Sequence, residues 1–539
     1  MYLFENPVLQ RELVTNLRMT RGFVLLFAYV ALLGLLVYTA WPEDQKLDMV
    51  QSTKAKPLVN LLFFGQYLLV SLMTPSFAAG AFTGEKERKS YEMLMASPVK
   101  PGAIVLGKLA ASLVPLLQLM IGSLPIVMLC LPLGGVHPSE VAAAYLAMIC
   151  SIVLFAMLCL WCSSYFLRTS SALAVSYLLI LPLAMVGVLV WNAMAQLGEA
   201  RLLVVSTVVP IACASIVALL WADVTRRMLQ APDIGSEGKQ VIDLETEAEE
   251  AVGLYINRDE FPDRLFAPPK RTTFLPENAN PIYDKEIRSE IFSQGTLMLR
   301  LVIQISMFVA LPVMAVCLYM QQQLAPWYIS YVLLFNMLVG PVFSAGSVTS
   351  ERERQTLDLL LTTLITPWQM LWGKLVSGLR VSSVLTSFLM WPVVLACIMP
   401  LDYWGNLPTM GGYFLVVALT CLTTAMTALF CSTLFRKSAT SLMATYLVIV
   451  VLFLVPVAAQ VFVSAFLSES PSVDFVRWTG FSSPFAAVFN LPLSVSDVNN
   501  ETGVSVEIFF GFLGFAVVYN LILLLGMIWL FQVRWRVSE

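Results

Sequence analysis

The chain has 539 residues, of which 58% are hydrophobic and 12% charged, and its net charge at neutral pH is −3. A soluble domain carries about 25% charged residues, so this composition excludes a soluble enzyme or binding module and defines an integral membrane protein of many spans. The near-neutral balance gives no sign of a nucleic-acid partner.

Met1 to Arg21 carries three Arg and no apolar run before Gly22, which is not the form of a secretory signal peptide. Asn6-Pro7 then opens a helix, with Asn as the cap and Pro in the first turn. Leu9, Leu13 and Leu17 line one face, with Val14 beside them, and Arg11, Glu12, Asn16 and Arg18 take the other. This is the pattern of a helix lying in the membrane interface. The motif recurs at Asn280-Pro281, where Tyr283, Ile287 and Ile291 oppose Asp284, Lys285, Arg288 and Glu290.

Apolar runs of about 20 residues mark membrane helices. Six are expected near 22–41, 57–82, 104–131, 141–167, 172–195 and 202–222, and six more near 297–320, 327–348, 371–400, 411–435, 439–467 and 508–531. Prolines inside them (Pro75, Pro115, Pro125, Pro182, Pro341, Pro392 and Pro456) predict kinks that neighbouring helices must cover. With both termini in the cytosol, the outer loops hold only Lys46, Lys54, Lys56, Arg201 and Arg477, against eighteen Lys and Arg in the cytoplasmic flanks. That asymmetry sets the orientation. The fold expected is all-α, twelve transmembrane helices in two tandem six-helix repeats, related by a pseudo-twofold axis along the membrane normal.

The domains expected are 1–222, a six-span unit with its interfacial helix; 223–279, an acidic and Pro-rich cytoplasmic linker; and 280–539, a second unit with a long outer loop at 468–507. The linker reads as a spacer or as a docking segment. The outer loop, with its apolar stretch FSSPFAAVFNLPLSV, reads as a re-entrant element or a capping loop. Cys159 and Cys162 form a CxxC inside a span with no charged neighbour, which reads as packing rather than redox or metal chemistry. The only His is His137, so no metal site is expected.

The halves are organised around one repeated stretch. Pro75–Lys108 and Pro341–Lys374 align without a gap at an offset of 266, with 12 of 34 positions identical. The identities include Gly80/Gly346, Glu85/Glu351, Glu87/Glu353, Arg88/Arg354, Leu94/Leu360, Gly107/Gly373 and Lys108/Lys374. Cys162-Ser163, Arg168 and Tyr177 further match Cys431-Ser432, Lys437 and Tyr446 at an offset of 269. Gly102 to Lys108 imitates the start of a phosphate-binding loop, but Leu109 stands where its hydroxyl is needed and no strand precedes it. Lys108 and Lys374 read instead as cations snorkelling at the opening of the third span, where Gly107 and Gly373 let helices approach. Within the loops, Glu85, Glu87, Arg88 and Glu92 accompany an apolar ridge of Tyr91, Leu94 and Met95. Glu351, Glu353, Arg354 and Asp358 accompany Leu357, Leu360 and Leu361. A charged rim with an apolar ridge suits a helix that fits a partner's groove.

The pattern E-x-E-[RK]-x-[ST]-Φ-[ED]-Φ-L, followed by Pro and by Gly-Lys opening a span, resembles the permease subunits of ABC exporters of the type-2 class. So do the interfacial helix and the six-span unit. The resemblance covers nearly all the chain in two copies, whereas many members carry one unit. It implies that each loop is a coupling helix seated on a separate ABC-type ATPase, in two copies, with ATP and Mg on that partner and no cofactor or catalytic residue on this chain. It also implies a multi-pass protein of the cell (inner) membrane, in contact with membrane lipids. The alternatives are a self-contained secondary transporter, for which no chain of buried charges is visible, and a non-transporting scaffold that recruits an ATPase.

Overall fold

The structure is a computed structural model and describes residues 6–17, 20–39, 55–130, 138–166, 169–194, 199–229, 280–288, 296–320, 324–353, 355–363, 365–398, 407–466, 476, 478–491 and 506–534. Every regular element among them is helical, the form that satisfies all backbone groups without water. The chain divides into two compact units, Met1–Ala231 and Pro232–Glu539.

Unit one contains α1 (Pro7–Leu17), α2 (Thr20–Thr39), α3 (Ala55–Ala78), α4 (Gly80–Glu87), α5 (Tyr91–Met95), α6 (Pro101–Cys130), α7 (Pro138–Tyr165), α8 (Thr169–Ala193), α9 (Glu199–Leu203) and α10 (Val209–Leu229). Unit two repeats the order with α11 (Pro281–Arg288), α12 (Thr296–Met314), α13 (Ala325–Ser344), α14 (Thr349–Glu353), α15 (Leu357–Leu361), α16 (Pro367–Ile398), α17 (Leu407–Leu434), α18 (Ser438–Ile449), α19 (Val455–Phe466), α20 (Pro484–Phe489) and α21 (Val506–Arg534). A π-helical turn, Val450–Leu454, joins α18 to α19 as one rod.

Ten of these rods are long and apolar enough to cross a membrane, five in each unit. The other two expected spans, the first of each half, fall on the helices α2 and α12. Their described apolar cores, Leu26–Tyr38 and Gln304–Cys317, are shorter than a crossing requires. In unit one α7 and α8 are the most enclosed spans and α10 the most exposed; in unit two α13 and α17 form the centre and the α18–α19 rod the rim. Tyr177 on α8 donates to the carbonyl of Leu72 at 2.9 Å, and Tyr446 donates to Leu338 at 2.5 Å. Both bonds tie the fifth span to the turn disturbed by Pro75 or Pro341, the cover those kinks require. Cys159 and Cys162 are buried in the core of unit one.

One boundary differs from the expectation, and one open reading is narrowed. Helix α10 continues to Leu229, beyond the linker start assigned at Asp223. Asp223 accepts from Trp161 Nε1 at 2.8 Å and from the Tyr165 hydroxyl at 3.2 Å, so the first residue of that stretch is packed onto α7. The remainder of the linker (230–279) and His137 lie outside the described residues. In the outer loop, residues 480–491 fold inward: Gly480–Ser482 is a single 3₁₀ turn, and Ala486, Ala487 and Val488 on α20 are buried. The reason is local. Pro456 has no N–H for the carbonyl of Leu452, and Ser482 Oγ donates to that carbonyl at 2.8 Å. Ser483 Oγ donates to Phe453 O at 2.6 Å. Phe453 lies ~22 Å along the rod from Ser438, which places this turn within the span and favours the re-entrant reading.

Candidate functional site

The repeated loop is built the same way in both units, and its parts are best taken from the anchor outward. Asn6 caps α1: its Oδ1 accepts from Val8 N at 3.0 Å and its Nδ2 donates to Ala103 O at 2.6 Å. Asn280 does the same with Ile282 N at 3.0 Å and Gln369 O at 2.6 Å. The cap amide therefore pins the interfacial helix to the first turn of the third span. A Cβ on Gly107 would stand 2.9 Å from Asn6 Nδ2, and one on Gly373 would stand 3.1 Å from Asn280 Nδ2. The two glycines are where helix and cap approach closely.

Lys108 and Lys374 follow. The expectation that they snorkel is corrected: both are buried inside their units, 4% and 1% exposed. Where the second span breaks, each ammonium donates to a carbonyl of the turn, Ala81 O at 2.7 Å and Ser347 O at 2.6 Å. Carboxylates complete each cluster. Lys108 faces Glu12 at 3.5 Å and Glu85 at 3.8 Å; Lys374 faces Glu286 at 2.8 Å and Glu351 at 3.6 Å. A buried ammonium persists because these partners replace its hydration.

Glu85 and Glu351 are thus turned inward, which corrects their assignment to a partner-facing rim. Their second carboxylate oxygens accept from the hydroxyls of Ser90 and Thr356. Their carbonyls accept from the backbone N–H of the same two residues, at 3.0 and 2.9 Å. This closes a tight turn in which Lys89 and Gln355 take left-handed conformations, φ 56° and 58°. A non-glycine residue adopts that region only when its surroundings impose it. Glu351 also accepts from Lys285 at 2.8 Å. Burial alone would raise its pKa, but the hydrogen bonds from Lys285 and Thr356 and the charge of Lys374 outweigh this and hold it at about 2.

The next two residues reach other spans. Lys86 Nζ donates to Ser163 O (3.3 Å), Ser164 O (2.6 Å) and Phe166 O (3.0 Å), the end of α7. Arg352 donates to Thr433 O and Phe435 O, both at 2.6 Å, the end of α17. A cation is favourable at a helix C-terminus, where carbonyls lack partners. Glu87 accepts from Thr169 N at 2.7 Å, and Glu353 accepts from Ser438 N and Ser438 Oγ at 2.9 Å each, the starts of α8 and α18. The sequence E-K-E or E-R-E therefore clamps one loop to the third, fourth and fifth spans in succession. Ser163 and Ser432 add a further tie. Each hydroxyl accepts from two consecutive N–H groups, Phe82 and Thr83 at 3.1 Å, or Val348 and Thr349 at 3.0 and 3.1 Å. Their recurrence at the 269 offset marked these serines in the sequence, but gave them no role.

The apolar ridge is also turned inward. Tyr91 and Leu357 are buried, and Leu94 and Leu360 pack half-buried onto the cores of their units. The residues that face outward around the turn include Glu87, Arg88, Lys89, Glu92 and Met93 in the first copy, and Glu353, Gln355 and Leu359 in the second. Met93 and Leu359 are equivalent at the 266 offset and are 78% and 70% exposed. Arg354 and the side chain of Asp358 lie outside the described residues. The stretch Gly102–Lys108 is continuous helix from Pro101, with no loop to hold a phosphate. Among the described residues no group of three or more His, Cys, Asp or Glu is placed to hold a metal.

Two copies of one helical membrane unit, with a clamped loop between α3 and α6 in the first and between α13 and α16 in the second, define a multi-pass membrane protein built as a tandem repeat. The sequence model of the ABC-2 family transporter proteins matches residues 7–203 and 279–534. The chain belongs to that family, with its membrane unit present twice in tandem. No curated protein and no solved structure matches it.

Proposed function

We propose that the chain is the membrane-spanning permease of an ATP-driven exporter, coupling a separate ABC-type ATPase to the movement of substrate. The loops at 85–97 and 351–363 seat two copies of that ATPase, one at each loop. ATP and Mg bind on the partner, and this chain carries neither cofactor nor catalytic group. It lies in the cell (inner) membrane among its lipids, with both termini and both loops in the cytosol.

One observation carries this reading. In each unit the same three residues fasten the loop to three spans, while an apolar side chain, Met93 or Leu359, stands exposed beside a charged rim. A push on that surface is transmitted to all three helices as one body, because ion pairs and helix-end hydrogen bonds leave the loop no independent freedom. Glu85 and Glu351 serve docking by holding the loop in shape; Glu87, Arg88, Glu92, Met93, Glu353 and Leu359 supply the surface.

The test is co-purification of the tagged chain with its ATPase in mild detergent. Met93→Asp with Leu359→Asp is expected to lose retained ATPase activity by at least about tenfold, since an unpaired charge in an apolar contact is strongly unfavourable. Unchanged retention by a folded double variant would remove the docking surface. Orientation has its own check: cysteines at Thr53 and Ser496 are expected to react with an impermeant thiol reagent from outside, and one at Ser236 from inside. The reverse pattern would overturn the topology.

A further inference from the structure

Unit one carries a crevice that the clamp does not use. It lies between α6, α7 and α10 and has a volume of about 480 Å³. Among the described residues, none from α3 or α8 lines it. Small side chains create it: Cys213, Ala214 and Ala218 on α10 and Cys150 on α7 stand where larger residues would fill the space. Its walls are apolar. Cys213 Sγ donates to the Cys150 carbonyl at 3.0 Å, and Trp221 Nε1 donates to Gly102 O at 3.4 Å, so these polar hydrogens are turned into the protein. Leu106 on α6 and Ile149 on α7 line it and are exposed, so the crevice opens at the surface of the bundle.

Its place in the membrane follows from α10, the most exposed span of the unit. The lining residues on this helix run from Pro210 to Trp221, ~16 Å of rise against a hydrocarbon core of ~30 Å. The crevice is therefore one leaflet long. Trp221 stands at the level where Trp collects, the edge of the core, and the charged Asp223, Arg226 and Arg227 follow it. A Cβ on Gly102 would stand 2.8 Å from Trp221 Cζ2, so the indole closes this end against the first turn of α6. Cations flank the same end. Lys100 sits two residues before Gly102, and Arg226 lies ~7.5 Å past Trp221 along α10. Both are exposed, and neither has a side-chain partner among the described residues. The other charges at this end of α10 are engaged with α7. Asp223 accepts from Trp161 and Tyr165, and the Arg227 guanidinium lies over the Tyr165 ring at 3.4 Å.

We infer that the crevice is the seat of one anionic phospholipid of the cytoplasmic leaflet. An acyl chain lies along Ala214 and Ala218, from the middle of the bilayer to Trp221, and the phosphate head group rests by Lys100 and Arg226. An apolar wall one leaflet long selects the chain. The two free cations select the head group, since basic groups at the cytoplasmic ends of spans hold anionic lipids. The inference goes beyond the permease reading and rests on it only for the leaflet that supplies the lipid.

The experiment uses the full chain in phosphatidylcholine nanodiscs doped with phosphatidylglycerol that carries a diazirine in its acyl chain. After illumination, cross-links are located by peptide mass spectrometry. Residues 149–153 and 210–221 are expected to be labelled at least about fivefold more than α2 around Phe27 and Leu32, which are also exposed and apolar. Phosphatidylcholine with the same diazirine chain is expected to show no such excess. Lys100→Gln with Arg226→Gln lowers the excess to the phosphatidylcholine level, and Lys100→Arg with Arg226→Lys retains it. Ala214→Leu with Ala218→Leu fills the crevice and abolishes labelling at 149–153. If that variant is not recovered folded, the charge variants carry the test, because both positions are exposed. Uniform labelling, an excess shared by phosphatidylcholine, or an excess indifferent to both cations would overturn the inference. Retention of the ATPase, measured on the same preparation, separates the two readings. Retention without the excess removes the lipid seat alone; the excess without retention keeps the lipid seat and removes the permease reading.

Discussion

Lys374 is 1% exposed and holds two carboxylates and a carbonyl around one ammonium. Removing one partner of such a cluster costs more than the intact cluster contributes, because the remaining charges stay buried without compensation. Lys374→Met is therefore expected to destabilise unit two by about 3–5 kcal/mol, read as a fall in the unfolding midpoint in detergent. Adding Glu351→Gln should restore part of that loss; a strictly additive double variant would show that the two groups do not interact. Glu351 carries a pH signature as well. Its folded pKa, about 2, lies below its ordinary 4.5. Its contribution to stability is complete above the ordinary value and is lost as pH falls through about 2. Unit two is accordingly expected to lose stability between these limits, and Glu351→Gln to flatten that dependence. An unaltered acid profile in the variant would refute the assignment. Two glutamates and two Gly-Lys pairs were legible in the sequence as repeated residues. Their inward direction was not, because it depends on packing against Glu12, which the sequence shows only as a polar residue of an interfacial helix, and Glu286, which the sequence reading did not single out.

The helices themselves were the most legible part, since apolar length fixes a span and a cap pair such as Asn6-Pro7 fixes a start. The loop was read as one short helix, whereas Gly80–Glu87 and Tyr91–Met95 are separate helices, and its apolar ridge was given the wrong face. Helices as short as α5 and α15, five residues each, expose no dependable periodicity, so Tyr91 and Leu357 looked like a presented ridge when they are its anchor. The exposed Met93 and Leu359 are marked in the sequence only by their equivalence. The re-entrant turn before α20 was left open between two readings for a related reason: it depends on Pro456, far away in the chain, freeing a carbonyl that Ser482 then satisfies. Ser483→Ala removes a buried hydrogen bond of 2.6 Å to Phe453 O and is expected to cost about 1–2 kcal/mol. The readout is faster proteolysis or thiol labelling at the outer turn. No change in either would show that the turn is held by packing alone.

At the scale of the whole chain, duplication explains why two loops can repeat a clamp residue for residue while their surroundings drift apart. Equivalent residues tie each loop to three helices, whereas the outer loop at 468–507 has a counterpart of only a few residues in unit one. The duplication was visible from the offsets of 266 and 269. The account's central claim is that Met93 and Leu359 mark two equivalent seats for one kind of ATPase. The most direct measurement is photo-crosslinking of the full chain carrying benzoylphenylalanine at position 93 or 359, with position 91 as the buried control. The account predicts that both exposed positions capture the same ATP-binding protein and that position 91 captures none. Failure of both positions to capture a nucleotide-binding protein, in a chain whose loops remain folded, would contradict it.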